Sequence, residues 1–270
     1  MTDLTQADLS KRSASQYTGI GRQIDDYQRL QPERDAQLTA KLEKSTNAAP
    51  EFGYRQMARW LDESQARVRR MWELMKLATK PARKHPLHDI QVAEPQERPQ
   101  RAEYLDHVWT YDMMHDRLAN GSVYRVLNVL DEFGRGCLAM HVARSIKAAD
   151  VTSVLREVMK TTGRKPKYIR SDNGPEFAAD TVADHLRSWS VGQLFIEPGS
   201  PWQNGFIESF NGKARTELLN REWFYTIDEA SVVIERWRRW YNEQRPHSAL
   251  GGLTPVKYAA LYVARAQAGV

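Results

Sequence analysis

Cysteine is almost missing: Cys137 is the single one in 270 residues. One thiol cannot close a disulfide within the chain or supply a cysteine-based zinc cluster. Disulfide-free sequences suit a reducing cytoplasm. Long apolar runs are missing as well. No stretch approaches the roughly 18 apolar residues of a membrane-spanning helix, so no membrane partner is expected. The opening residues, Met1-Thr2-Asp3-Leu4-Thr5, lack the basic-then-apolar plan of a secretory signal. There is little net charge: 39 Lys and Arg face 34 Asp and Glu, for a formal +5. What is present is a globular balance, 41% hydrophobic and 27% charged, which excludes a disordered chain. The length accommodates one large domain or two to three small ones.

The small excess of cations is concentrated. Between Arg55 and Lys84 lie nine bases and three acids, so this stretch carries +6 and the remainder −1. Clustered cations are what a polyanion requires, because neutralising phosphates releases counterions. A solvated helix face is the competing reading.

Residues 1–48 are polar and read as a helical N-terminal segment, with Leu30, Leu38 and Leu42 as a partial apolar stripe. Residues 49–85 read as two short helices, Arg55 to Leu61 and Ser64 to Leu77. Val68, Met71, Trp72 and Met75 recur at three- and four-residue steps on the second, and Ser64 suits its N-cap. Two short helices with a basic second one fit a helix-turn-helix-like DNA-binding region, in which Arg67, Arg69 and Arg70 are candidate phosphate contacts. A helical hairpin that touches no DNA has the same pattern. Proline then punctuates a polar stretch at Pro81, Pro86, Pro95 and Pro99, and residues 86–103 read as a linker.

From 104 to 225 the pattern changes to strands and helices. Strands are expected at Val108–Met114, Tyr124–Leu130, Cys137–Val142, Lys167–Arg170 and Gln193–Ile196. Asn120-Gly121 predicts a hairpin turn with positive φ at both central residues. Helices are expected after Cys137–Val142, over about Pro175–Trp189, and along the segment carrying Phe206, Phe210 and Leu218. The order is three antiparallel strands, then strands alternating with helices, which makes a mixed α/β sheet flanked by helices. Residues 226–270 form a C-terminal helix and tail. Thr226 and Glu229 make a capping box, and Arg245-Pro246 ends the helix.

Three acids stand in unusual places. Asp112 interrupts an apolar and aromatic strand. Asp172 sits at the mouth of the fourth strand. Glu208 lies near the start of a helix. If strands one and four are neighbours, Asp112 and Asp172 come side by side, and a helix packed over that edge can bring Glu208 to them. Two carboxylates about 4 Å apart repel by roughly 4 kcal/mol at an effective dielectric of 20, so one takes a proton or cations neutralise them. An all-oxygen set suits Mg2+ or Mn2+, and two such ions serve an in-line phosphoryl displacement. Surface carboxylates, or acids paired with a nearby arginine, are the plain alternative. Asp106, Asp116, Asp131, Asp180, Glu197 and Glu217 are the rival acids.

Thirty-five residues separate Asp172 from Glu208. The flanking words are Arg170-Ser171-Asp172-Asn173-Gly174-Pro175-Glu176-Phe177 and Asn204-Gly205-Phe206-Ile207-Glu208-Ser209-Phe210-Asn211-Gly212-Lys213. The tail reads Tyr241-Asn242-Glu243-Gln244-Arg245-Pro246-His247-Ser248-Ala249-Leu250-Gly251-Gly252-Leu253-Thr254-Pro255. Together these resemble the second-frame (orfB) protein of bacterial insertion-sequence DDE transposases of the IS-three family, with a retroviral-integrase-like core. Phe52-Gly53-Tyr54-Arg55 resembles that family's helix-turn-helix-like segment.

The resemblance implies an RNase H-like fold over 104–225, with Asp112, Asp172 and Glu208 as catalytic residues and ligands of two Mg2+ or Mn2+ ions. It gives Arg215, two helical turns past Glu208, the task of holding DNA phosphate. Asn173 and Lys213, inside the two motifs, are further candidate DNA contacts. The implied chemistry is hydrolysis at a transposon end, then attack of the freed 3′-hydroxyl on another phosphodiester. The implied partners are double-stranded DNA at element ends and target, further copies of the chain on that DNA, and an upstream-frame (orfA-type) product. The implied location is the bacterial cytoplasm, at the nucleoid. Family members usually carry an upstream helix-turn-helix and leucine zipper by frameshift fusion, and no such heptad run is seen here. A DNA-binding regulatory fragment without its own chemistry is therefore a second reading, and an RNase H-type nuclease a third.

Overall fold

A computed structural model describes residues 22–77, 101–172, 174, 180–197 and 201–268. The chain divides into two compact units, residues 1–82 and 83–270. In the first, α1 (Arg22–Ala48), α2 (Tyr54–Trp60) and α3 (Gln65–Leu74) enclose a small core. Leu38 and Leu42 of α1 are buried with Phe52, Met57, Val68, Met71 and Trp72. Ser64 is the N-cap residue of α3, but its side chain makes no capping hydrogen bond.

The second unit is built on five strands: β1 (Val108–Arg117), β2 (Val123–Asp131), β3 (Cys137–Ala143), β4 (Tyr168–Ser171) and β5 (Gly192–Phe195). Their order across the sheet is β3-β2-β1-β4-β5. The β1–β2 and β2–β3 pairs are antiparallel, whereas β4 pairs parallel with β1 and β5 with β4. This is the expected mixed sheet. The Asn120-Gly121 turn departs from expectation: only Gly121 has positive φ, at 82°. The Gly121 N–H donates to the Leu118 carbonyl, and the Asn120 side chain accepts from both the N–H and the hydroxyl of Ser122. The asparagine thus closes the turn through its side chain and needs no left-handed backbone.

Alternation along the strands sends neighbouring side chains to opposite faces. Trp109, Tyr111, Leu127, Val129 and Ile169 pack against α4 (Ala148–Thr162) and α5 (Asp180–Ser188). Helix α5 is described over Asp180–Ser188; residues 175–179 of the helix expected there lie outside the described residues. On the other face Met114, Tyr124, Val126, Leu130 and Met140 pack with Ile207, Phe210 and Ala214 of α6 (Gly205–Glu217) and with Ile234, Trp237 and Tyr241 of α7 (Ile227–Glu243). Thr226 caps α7 by accepting from the Glu229 N–H, while the Glu229 carboxylate accepts from the Tyr225 N–H. A further helix, α8 (Pro255–Gln267), was not expected from the sequence. Thr254 caps it, and its Tyr258 and Tyr262 rings meet Phe133.

Candidate active site

The β1–β4 register pairs Val108 with Tyr168, Trp109 with Ile169 and Thr110 with Arg170. Asp112 and Asp172 lie two positions past the last of these pairs, each on its own strand's continuation. Parallel pairing therefore delivers both acids to the same end of the sheet centre. Asp112 has the parity of Thr110, Met114 and its cross-strand partner Asn128, so it faces α6. The Asp172 carboxylate is turned back by a local hydrogen bond from the Gly174 N–H at 3.0 Å. Glu208 is exposed in the first turn of α6, where the helix macrodipole favours negative charge.

The chain leading into α6 is pinned to the sheet. The Thr110 hydroxyl donates to Asn204 Oδ1 at 2.7 Å, and Arg170 Nη1 donates to the Gln203 carbonyl at 3.0 Å. Arg170 is buried and stands 3.4 Å from Glu132, whose side chain is sealed from solvent. Burial pushes the Glu132 carboxyl up to about 7 against the pull of Arg170. Strands β1 and β4, which deliver the two aspartates, thus also hold the start of the helix that carries Glu208.

Asp112 is half-buried. Burial pushes its carboxyl up to about 6; the Met113 N–H opposes this, the charges of Asp172 and Glu208 raise it further, and a hydrogen bond from Asn211 lowers it. Asp112 thus feels the charges of both other acids. They are not drawn up into a ligand cluster: among the described residues no three His, Cys, Asp or Glu side chains are grouped to hold a metal ion. An all-oxygen acidic set is the donor chemistry of a hard divalent cation.

Four of the rival acids have cationic partners. Asp106 and Asp131 share Arg164, Asp116 faces Arg215 at 3.7 Å, and Glu217 is clamped by Arg245.

The expected DNA contacts are placed as follows. Arg215 Nη2 donates to the His115 carbonyl at 3.0 Å, tying the side chain to the far end of β1 rather than aiming it at the acids. Lys213 is half-buried, donates to Ser209, and is held below the ordinary lysine range by burial. Asn173 lies outside the described residues. In the other unit, Arg70 makes a two-pronged contact with Asp35 at 2.7 and 2.8 Å. Arg67 pairs with Glu63, lies 3.8 Å from Asp35 and donates to the Arg34 carbonyl. Arg69 is exposed and pairs with Glu73 one turn on.

The sequence reading missed Asn128, Glu132 and the contact made by Asn211. Asn211 Nδ2 donates to Asp112 Oδ2 at 2.7 Å, and its Oδ1 accepts from Asn128 Nδ2 at 2.8 Å. A buried asparagine opposite Asp112 is the signal that could have found this, once strand register is known.

Comparison with known proteins agrees with this architecture. Integrase core domain families match residues 105–201 and 190–255. A protein of insertion element IS407 from Burkholderia multivorans is 33% identical over 97% of this chain and 95% of its own length. A transposase-like protein of Haemophilus influenzae is 28% identical over 56% of this chain and 69% of its own. A chain in the structure of the simian T-cell lymphotropic virus intasome in complex with PP2A regulatory subunit B56 gamma superposes with a TM-score of 0.50 at 19% identity, covering 77% of this chain and 74% of that one. At that identity the likeness speaks for the fold, an integrase-like RNase H architecture. The chain belongs to the bacterial insertion-sequence transposases that carry an integrase core domain.

Proposed function

We propose that this chain cuts DNA at the ends of an insertion element and joins the freed 3′-hydroxyl to a target phosphodiester, with Asp112, Asp172 and Glu208 as the catalytic carboxylates. The observation that carries the reading is geometric: the β1–β4 register sets Asp112 and Asp172 at the same end of the sheet, and Asn211, three residues after Glu208 on α6, donates to Asp112.

Two Mg2+ or Mn2+ ions bound to these oxygens would neutralise that charge, activate the attacking oxygen and stabilise the leaving one. The chain's own contribution is positioning. Strands β1 and β4 hold the aspartates in register, Thr110 and Arg170 hold the start of α6, and Glu208 projects from its first turn. No covalent enzyme intermediate is required, because the attacking oxygen reaches the aligned phosphate directly. Double-stranded DNA is the partner, with exposed Arg69 as a phosphate contact, and further copies of the chain assemble on it.

Purified full-length chain, a pre-nicked oligonucleotide of the element end and Mn2+ test this directly. Strand joining is expected in the parent and is lost in Asp112→Asn, Asp172→Asn and Glu208→Gln. DNA binding without joining, even with the upstream-frame product supplied, would favour a regulatory role. Preferential cleavage of an RNA–DNA hybrid would favour a nuclease.

A further inference from the structure

The Asp112 carboxylate is held at both oxygens. Oδ1 accepts from the Met113 N–H at 2.8 Å, and Oδ2 accepts from Asn211 Nδ2 at 2.7 Å. An ionised carboxylate only accepts, so the asparagine must present its NH2 group to it. Asn211 Oδ1 then faces Asn128, which must present its own NH2 group, and does so at 2.8 Å. Asn128 is fully buried on β2 directly opposite Asp112, so its amide cannot swing to solvent. The three side chains form a directed chain, Asn128 to Asn211 to Asp112, with the orientation of each member set by the next. Each Asp112 oxygen keeps a second lone pair unengaged by these bonds.

Asn211 also lies three residues after Glu208 on α6, a spacing that puts both on neighbouring positions of one helix face. The bond to Asp112 therefore joins two catalytic carboxylates through one turn of helix. It fixes the rotation of Asp112 and, by the same contact, the register of α6 against β1.

We propose that Asn211 is a positioning residue of this centre and that Asn128 acts through it: together they preset Asp112 and the Glu208 helix turn for a divalent cation. The inference rests on the metal reading above and deepens it. Groups that support a metal ligand in this way typically govern metal affinity or activity by about ten- to a hundredfold.

The test measures Mn2+ binding to the full-length chain by electron paramagnetic resonance, beside the Mg2+ dependence of strand joining. Asn211→Ala keeps the helix, since alanine is the best helix former, and thermal unfolding of each variant checks that it folds. Asn211→Ala is expected to weaken Mn2+ binding by about ten- to a hundredfold and to raise the Mg2+ midpoint by a like factor. Asn128→Ala is expected to shift both in the same direction, and to add nothing in the Asn211→Ala background, because its effect passes through Asn211. Parent-like Mn2+ affinity in Asn211→Ala, or independent multiplication of the two effects, overturns the proposal. Asp112→Asn separates the two levels. If it abolishes Mn2+ binding while Asn211→Ala is parent-like, only the positioning role fails. If Asp112→Asn also binds like the parent, the metal reading fails and takes this inference with it.

Discussion

Arg245, just past the end of α7, clamps Glu217 at the end of α6 through two hydrogen bonds, Nε to Oε2 at 2.7 Å and Nη2 to Oε1 at 2.5 Å, with both side chains more than nine-tenths buried. The tail motif thus fastens the far end of the helix whose first turn carries Glu208. Removing one partner of a buried pair strands the other charge in a poor dielectric. Arg245→Met alone is therefore expected to destabilise the fold by about 3–5 kcal/mol, whereas Arg245→Met with Glu217→Leu recovers most of that loss. Chemical denaturation of the two variants checks this.

His247 belongs to the same tail. Its ring meets Tyr241 edge-on at 4.6 Å, and burial, then the Arg245 charge, push its pKa down to about 3. The unfolded histidine titrates near 6.5, so on acidification the unfolded state binds the proton first. Stability from this group is whole above pH 6.5 and falls as the pH drops towards 3. Between pH 7 and pH 5 the loss is about 2 kcal/mol. His247→Phe keeps a ring against Tyr241 and removes the proton site. Its stability is expected to depend less on pH over that interval, as read by unfolding at pH 5, 6 and 7.

Arg69 and Arg70 of α3 are expected to separate in a DNA-binding assay. Arg70 is engaged with Asp35, while Arg69 is exposed beside Glu73. Arg69→Ala should weaken binding across all sequences and lower the salt slope by about 1. Arg70→Ala should leave that slope unchanged and reduce the stability of the helical unit by about 1 kcal/mol. The slope of affinity against salt, beside a thermal melt, distinguishes the two.

Much of the sheet was legible because strands and helices alternate with clear apolar periods. Asp112 was conspicuous because a charge inside Val108-Trp109-Thr110-Tyr111 and Met113-Met114 has no ordinary reason to be there. Helix α8 was not legible. Tyr258 and Tyr262 face Phe133, but the equally apolar Leu261 and Val263 are exposed, so apolar residues circle the helix and mark no single face. Glu132 was not legible because it falls between the strands expected at Tyr124–Leu130 and Cys137–Val142, yet its carboxylate is sealed beside Arg170. The ties of Arg67 and Arg70 to α1 were hidden for another reason: Asp35 lies more than thirty residues upstream, and local charge counting does not see such partners. Asn211 and Asn128 are 83 residues apart, and their bond follows only from strand register and helix placement.

Asp112, Asp172 and Glu208 are expected to share divalent cations. The most direct measurement is anomalous diffraction from crystals of the full chain soaked in Mn2+. Two peaks about 4 Å apart, touching Asp112 and shared with Asp172 and Glu208, are the expected result. Mn2+ bound elsewhere, with these three carboxylates metal-free at saturating concentration, would contradict it.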